Sequence, residues 1–262
     1  MPRARRVAVE RFPSSRRLVI AGFRAGRRRV PMYGLLDLDV TTAKRLLESA
    51  DPPLSMTAFV IASVARAAAA HPTVHAYRNW RGKQVTHHFV DVATMVEVPT
   101  RQGPFALPYT LRDADTRTVA DLSAELHRDK HSPTSTRTGR FWIEGLGPPL
   151  TRLPGAVPAL YAIMSRSIAI RRRVGTVGVT AVGMFASGSG FGLTPLTLMS
   201  CEVIVGGMSQ RPRVVDGKAQ TRDVLDLTLV IDHTIVDGAP AARFGADLRE
   251  LIETAAALTE AT

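Results

Sequence analysis

The chain has 262 residues, of which 45% are hydrophobic, 22% charged and 6% aromatic, with twenty glycines, seventeen prolines and one cysteine. That composition is globular and excludes collagen, coiled coil and wholesale disorder. A lone cysteine, Cys201, excludes a disulfide framework and a thiolate zinc cluster, and suits a reducing compartment. No apolar run approaches the ~20 residues that span a bilayer, and the basic start has no apolar segment of a signal peptide behind it, so a soluble cytoplasmic protein is expected. The net charge of +11 is uneven. Residues 1–30 hold ten arginines against Glu10, giving +9, whereas the other 232 residues carry 24 bases and 22 acids, giving +2. The first 30 residues therefore read as a basic arm, and residues 31–262 as one domain. Such an arm can meet nucleic acid, an acidic membrane face or an acidic partner. It lacks the interleaved aromatics of a base-stacking surface, so a solvated arm, partly ordered against the core, is expected and specific nucleic-acid binding is not.

In chain order, Leu35 to Asp39 alternates as a strand, and Thr41 or Thr42 caps a short helix through Glu48. Ser55 opens a second helix to about Ala70, apolar nearly all round and therefore buried, which Pro72 stops. Residues 74–98 read as strands with a turn at Arg81-Gly82, and Pro99 to Pro108 reads as a loop. Thr118 caps a helix carrying Val119, Leu122 and Leu126, with Asp121 completing a capping-box-like start. His131 to Gly147 is polar and irregular. Val157, Leu160, Tyr161, Met164 and Ile168 form a stripe at helical spacing, ending in Arg166 and Arg171 to Arg173; such a stripe suits burial, or a lid or membrane-surface helix. Gly183 to Gly192 has no phosphate-loop lysine or dinucleotide pattern and reads as a turn. Val203 to Val205 and Leu225 to Ile231 read as strands, and Phe244, Leu248, Leu251 and Ile252 mark a final amphipathic helix. Strands and helices alternate without regular βαβ units, which predicts an α+β fold with a mixed β-sheet and flanking helices.

The segment with chemistry is Asp232-His233-Thr234-Ile235-Val236-Asp237-Gly238. A histidine directly after an alternating strand is held by the sheet and exposed by the loop, as a general base near neutral pH requires. Asp237 can fold back to brace the turn, and Gly238 permits a tight exit into the helix. The plainer alternative is a turn histidine with Asp237 as helix N-cap. The other titratable candidates are weak. His87-His88 reads as strand surface, His127 and His131 as a polar helix end, and Cys201 as inert core; no metal site is expected.

With Ala241-Ala242-Arg243-Phe244 behind it, this segment resembles the D-H-x-x-x-[DN]-G … A-x-R-F motif of 2-oxoacid dehydrogenase acyltransferase catalytic domains, a family within the chloramphenicol acetyltransferase-like superfamily. Leu38-Asp39-Val40-Thr41 is similar to the family's D-V-T strand-to-helix junction. Phe59 to Ala70 with Pro72 is similar to its buried helix, and Gly178 to Gly183 to its F-T-I-S-N-L-G strand. The matches cover most of residues 35–131 and 177–258.

The resemblance implies a chloramphenicol acetyltransferase-like fold and transfer of an acyl group from CoA, or another thioester, to a thiol, hydroxyl or amine acceptor. His233 would be the general base and Thr180 the hydroxyl that stabilises the oxyanion. Asp237 would hold the loop by pairing with an arginine, for which Arg24 is the best match and Arg27 the next. It also implies a homotrimer, with a larger assembly open, whose sites lie between subunits, and CoA or acyl-CoA as substrate. The family's arginine after the histidine is Thr234 here, its turn asparagine is His75, and His131 to Arg173 has no good counterpart, so that insert is expected to remodel the acceptor pocket. Neither a lipoyl-lysine domain nor a peripheral-subunit-binding domain is found. The expectation is a catalytic domain alone, with no covalently bound lipoate, using a lipoylated partner, a carrier protein or a diffusible acceptor. The competing reading is a non-catalytic scaffold or binding module attached through the basic arm.

Overall fold

The structure, a computed structural model, describes residues 7–9, 12, 16–27, 29–100, 103–131, 153, 155–181 and 188–259. Beyond His131, the polar stretch to Gly147 lies outside these residues, as do Gly183 and arginines 3, 5, 6, 11 and 28. Eight strands and eight helices are described: α1 (Arg16–Gly26), β1 (Pro31–Asp39), α2 (Thr41–Ser49), α3 (Met56–Ala70), a 3-10 turn (Pro72–His75), β2 (Tyr77–Arg78), β3 (Gln84–Val85), β4 (Val92–Thr100), β5 (Gly103–Leu111), α4 (Val119–His131), α5 (Ala156–Arg166), α6 (Ile168–Val174), β6 (Val177–Ala181), β7 (Cys201–Val215), β8 (Lys218–Asp232), α7 (Gly238–Glu253) and α8 (Ala256–Thr259). Six strands form one sheet in the order β1-β8-β7-β6-β4-β5, parallel at β4/β6 and β6/β7 and antiparallel elsewhere; β2 and β3 form a separate hairpin. The architecture is α+β with a mixed sheet and flanking helices.

Alternation divides the sheet into two faces. Leu38, Val92, Val177, Val179, Val203, Leu227, Leu229 and Ile231 pack beneath α3, α4 and α7, where Phe59, Ile61, Leu122, Phe244 and Leu248 are fully buried. The α3 helix is buried along most of its length, as an all-apolar helix must be. Its Ser55 cap accepts from the Ala58 N–H at 3.4 Å, and Thr118 at the start of α4 accepts from the Asp121 N–H at 3.1 Å. On the opposite face the cross-strand row Thr180, Ile204, Thr228, Leu35 runs from β6 to β1. Residues 188–200 cover part of that face, burying Leu196 against Ile204 and Val230.

Two elements differ from the sequence reading. The proline-marked stretch 99–108 is mostly β5, paired residue by residue with β4. Because β5 is the edge of the sheet, Pro104 and Pro108 sit in a strand with a free side, where the missing N–H is tolerated. The short strands at 203–205 and 225–231 are the middles of 15-residue strands joined at Asp216-Gly217. Both turn residues have positive φ, 50° and 73°, as a two-residue hairpin turn demands.

The basic arm is in part structured. Helix α1 packs against α5, and Gly26 lies so close to residues 196–197 that an added Cβ would stand 1.8 Å from the Leu196 carbonyl oxygen. The stripe on α5 and α6 buries Val157, half-buries Leu160, Tyr161 and Met164, and leaves Ile168 exposed. No helix among the described residues is long and apolar enough to cross a membrane.

Candidate active site

His233 stands where the sheet ends. Its backbone N–H donates to the Val30 carbonyl at 2.8 Å, while the residue itself is exposed. The preceding residue, Asp232, is 4% exposed in its side chain and anchors the turn with both oxygens. Oδ1 accepts from the Thr234 N–H at 3.1 Å and the Thr234 hydroxyl at 2.7 Å, and Oδ2 accepts from Arg29 Nη1 at 3.0 Å. Arg29 also donates to Ser200 Oγ at 3.3 Å and to the Leu198 carbonyl at 2.7 Å. Burial lowers the Arg29 pKa, and Asp232 and Glu202 oppose that shift.

The brace therefore exists but joins other residues than the expected pair. Arg24 lies exposed on α1, and no ion pair links it, or Arg27, to Asp237. Asp237 is exposed at the N-cap position of α7, and its side chain makes no capping bond. The reason is position: Asp232 is still part of β8 and points to the face that the segment after α1 reaches, whereas Asp237 has left the sheet. Gly238 also differs from expectation. Its backbone is outside the left-handed region and a Cβ would meet nothing within 4 Å, so the turn does not require glycine there. Thr234, where the family's arginine would stand, is committed to Asp232.

Thr180 lies on β6, half-buried, on the sheet face opposite the core residue Val179. It is two strands from β8, level with Thr228, and His233 lies five residues further along. At ~4.8 Å per strand and ~3.3 Å per residue this separates the two by about 20 Å within one chain. One copy cannot place both groups on one reacting carbonyl, which needs each within ~3 Å.

The structure also gathers polar residues that the sequence did not single out together. His75, Tyr77, His87 and Arg171 are buried. Burial is the main cause lowering the His75 pKa to about 4, against the opposing pull of the Ala68 carbonyl, and it lowers that of His87. Of the His87-His88 pair, expected at the surface, only His88 is exposed. Of Arg171 to Arg173, only Arg171 points inward. Helical phase does not predict this, because the turn of α6 is fixed from outside. Arg112 Nη1 donates to the Arg172 carbonyl at 2.7 Å, and Arg112 also holds the Arg173 carbonyl and Asp91. Cys201 is fully buried and its thiol pKa is pushed up by burial. His127 Nδ1 is paired with the Ser123 carbonyl at 2.8 Å.

This mixed sheet with flanking helices is the fold of the chloramphenicol acetyltransferase-like proteins. A solved chloramphenicol acetyltransferase superposes with a TM-score of 0.56 at 12% identity, covering 94% of this chain and 98% of that one. The structure of Azotobacter vinelandii dihydrolipoamide acetyltransferase, investigated for the role of a serine, a histidine and an asparagine in its catalytic mechanism, superposes with a TM-score of 0.70 at 19% identity over 98% of this chain and 96% of that one. More narrowly, residues 173–260 match the family model of the 2-oxoacid dehydrogenases acyltransferase (catalytic domain). The dihydrolipoyllysine-residue acetyltransferase component of the pyruvate dehydrogenase complex of Rickettsia bellii is 25% identical over 229 residues, 85% of this chain and 45% of that protein. The chain thus spans about half the length of the curated relatives it matches.

Proposed function

We propose that this chain is an acyltransferase catalytic unit, moving an acyl group between CoA, or another thioester, and a thiol, hydroxyl or amine acceptor. The observation that carries the reading is the His233 turn. An exposed imidazole stands at the end of a central strand, its main chain pinned to Val30 and the preceding carboxylate tied to Arg29. A base held this way loses little freedom on meeting its substrate. His233 removes the acceptor proton, and the acceptor attacks the thioester carbonyl. The oxyanion formed is stabilised by the Thr180 hydroxyl, an interaction typically worth ~3–4 kcal/mol of barrier. Collapse releases the CoA thiolate, which takes the proton from His233.

Because His233 and Thr180 are far apart in one chain, the complete site needs two copies, and a homotrimer meets that need. The sheet face bearing Thr180 supports this reading. Exposed apolar side chains lie toward its β1 side: Tyr33, Leu35, Phe191 and Leu193. Such a patch on a soluble surface marks an interface. The likeness to relatives of pyruvate dehydrogenase complexes leaves a lipoylated or carrier-protein acceptor, and a larger assembly, within the same chemistry.

The test is thiol release across an acyl-CoA panel. His233→Ala should lose ~10²–10⁴-fold in turnover with folding and oligomer size unchanged. Thr180→Val should lose ~10²–10³-fold. Co-refolding the two inactive variants should restore activity, since mixed oligomers contain some interfaces with both wild-type groups. An intact oligomer with unaltered turnover in His233→Ala would support the scaffold reading instead, and absence of complementation would refute the shared site.

A further inference from the structure

Arg171 is fully buried on α6 yet has no ion pair among the described residues. One side of its guanidinium is occupied: Nη1 contacts Met199 Sδ at 2.9 Å, and Cζ lies 5.2 Å from the centroid of the Tyr77 ring. The other edge, formed by Nε and Nη2, has no hydrogen-bond partner. Those two nitrogens are the parallel donors that receive a carboxylate side-on. Around them the Tyr77 hydroxyl, His87 Nε2 and both ring nitrogens of His75 are likewise buried without a hydrogen bond of normal geometry among the described residues. The closest carboxylate by its influence, Glu202, is engaged elsewhere, with Oε1 accepting from the Thr197 N–H at 3.1 Å and the Thr197 hydroxyl at 3.0 Å.

Native interiors rarely leave one such group unpaired, and an unpaired buried guanidinium is among the costliest cases. Four unpaired polar atoms on Arg171, Tyr77 and His87, with the His75 ring beside them meeting only the Ala68 carbonyl, are arranged as a site rather than as a packing defect. We propose that Arg171, Tyr77, His75 and His87 bind a carboxylate group, and that this carboxylate belongs to the acceptor acylated at the His233 turn. The second clause rests on the acyltransferase reading above.

Three observations give the inference its form. First, the free guanidinium edge suits a monoanion, with Glu202 and Arg29 also acting on Arg171 through their charges. Arg171 remains a cation at neutral pH, with its pKa lowered by burial to about 9, while His75 is held neutral. One guanidinium with neutral hydrogen-bonding neighbours matches one carboxylate better than a dianionic phosphate. Second, the neighbouring side chains are flat and aromatic. Tyr77 and His87 stack with centroids 5.6 Å apart, and His87 meets Phe89 at 4.9 Å, which suits a small planar group. Third, Arg171 is linked to the proposed catalytic turn. Met199, which touches Arg171, precedes Ser200, which accepts from Arg29, and Arg29 holds Asp232 beside His233.

The experiment has a binding arm and a turnover arm. In the first, thermal shift and calorimetry are run on the purified full chain with acetate and succinate, with acetamide as the neutral analogue and inorganic phosphate as the alternative anion. Saturable stabilisation by the carboxylates alone is expected. It should be lost in Arg171→Gln, weakened at least tenfold in Tyr77→Phe, and kept in Arg172→Gln, whose side chain lies outside. Should Arg171→Gln fail to fold, Tyr77→Phe, which removes a single hydroxyl, decides. In the second arm, acyl transfer to 3-mercaptopropionate is compared with transfer to its amide. A tenfold or greater preference in kcat/KM for the acid is expected, abolished in Arg171→Gln while transfer to the amide persists. Phosphate binding as tightly as the carboxylates, or carboxylate binding unaffected by both Arg171→Gln and Tyr77→Phe, would overturn the site. Active enzyme without an Arg171-dependent preference would refute the acceptor assignment alone. Carboxylate binding with no transfer from any acyl-CoA would instead refute the acyltransferase reading, and the acceptor assignment with it.

Discussion

Replacing Arg29 with methionine keeps much of its apolar length and removes three hydrogen bonds: to Asp232, Ser200 and the Leu198 carbonyl. Asp232, 4% exposed, is then a buried carboxylate without its cation, whereas Arg29 itself is 14% exposed. Breaking a buried pair by removing one partner costs about 3–5 kcal/mol. Because Asp232 keeps its two bonds from Thr234, the lower end, about 3 kcal/mol, is the expected loss. For a chain of this size each kcal/mol shifts Tm by ~2–4 °C, so differential scanning calorimetry should show a fall of roughly 6–12 °C. Turnover should drop at least tenfold with acceptor KM less affected, since Val30, next to Arg29, pins the His233 main chain. Arg24→Met, on the exposed side of α1, should stay within ~0.5 kcal/mol of wild type. The double variant Arg29→Met/Asp232→Asn should be more stable than the sum of the single effects, the difference being the coupling energy. An Arg29→Met protein melting within 2 °C of wild type, or an Arg24→Met protein as damaged as it, would refute the assignment of the brace.

Three other outcomes follow from the packing and charge. His75 has a pKa of about 4 in the fold against 6.5 for a free imidazole, so on acidification the unfolded chain takes the proton first. Its contribution is neutral above pH 6.5 and grows into a penalty of about 3 kcal/mol by pH 4; urea midpoints across that window should fall more steeply for wild type than for His75→Asn, and equal slopes would exclude a buried neutral ring. Gly26→Ala drives a Cβ into the Leu196 carbonyl, which is backbone and cannot turn aside. It should cost ~3 kcal/mol or free α1 to limited proteolysis, and wild-type Tm with wild-type protection would disprove that contact. Asp237→Asn should change stability by less than ~0.5 kcal/mol, because the carboxylate has no partner to lose; a loss above 1 kcal/mol in chemical denaturation would reinstate a bracing role.

Much of the architecture was legible because it is local. Alternation marks β1 and β8, an all-apolar stretch marks α3, and Ser55 and Thr118 mark helix starts, each a pattern that neighbouring residues impose on one another. The Asp216-Gly217 turn carried an equally local signal for the long β7–β8 hairpin. The His233 motif was visible for the same reason, since seven consecutive residues define it. What the sequence could not show depends on where distant segments meet. Prolines read as loop punctuation at 99–108 until the sheet order made β5 an edge, where a missing N–H costs little. The brace went to Arg29 and Asp232 because the end of α1, the 196–200 segment and the end of β8 converge there, a geometry that no spacing encodes. Likewise Arg171 was one of three adjacent arginines until Arg112 fixed the end of α6 and turned that single side chain inward. Burial and pairing of charge are properties of the whole chain, so the sequence determined which chemistry was on offer, and the tertiary structure decided which residues carry it.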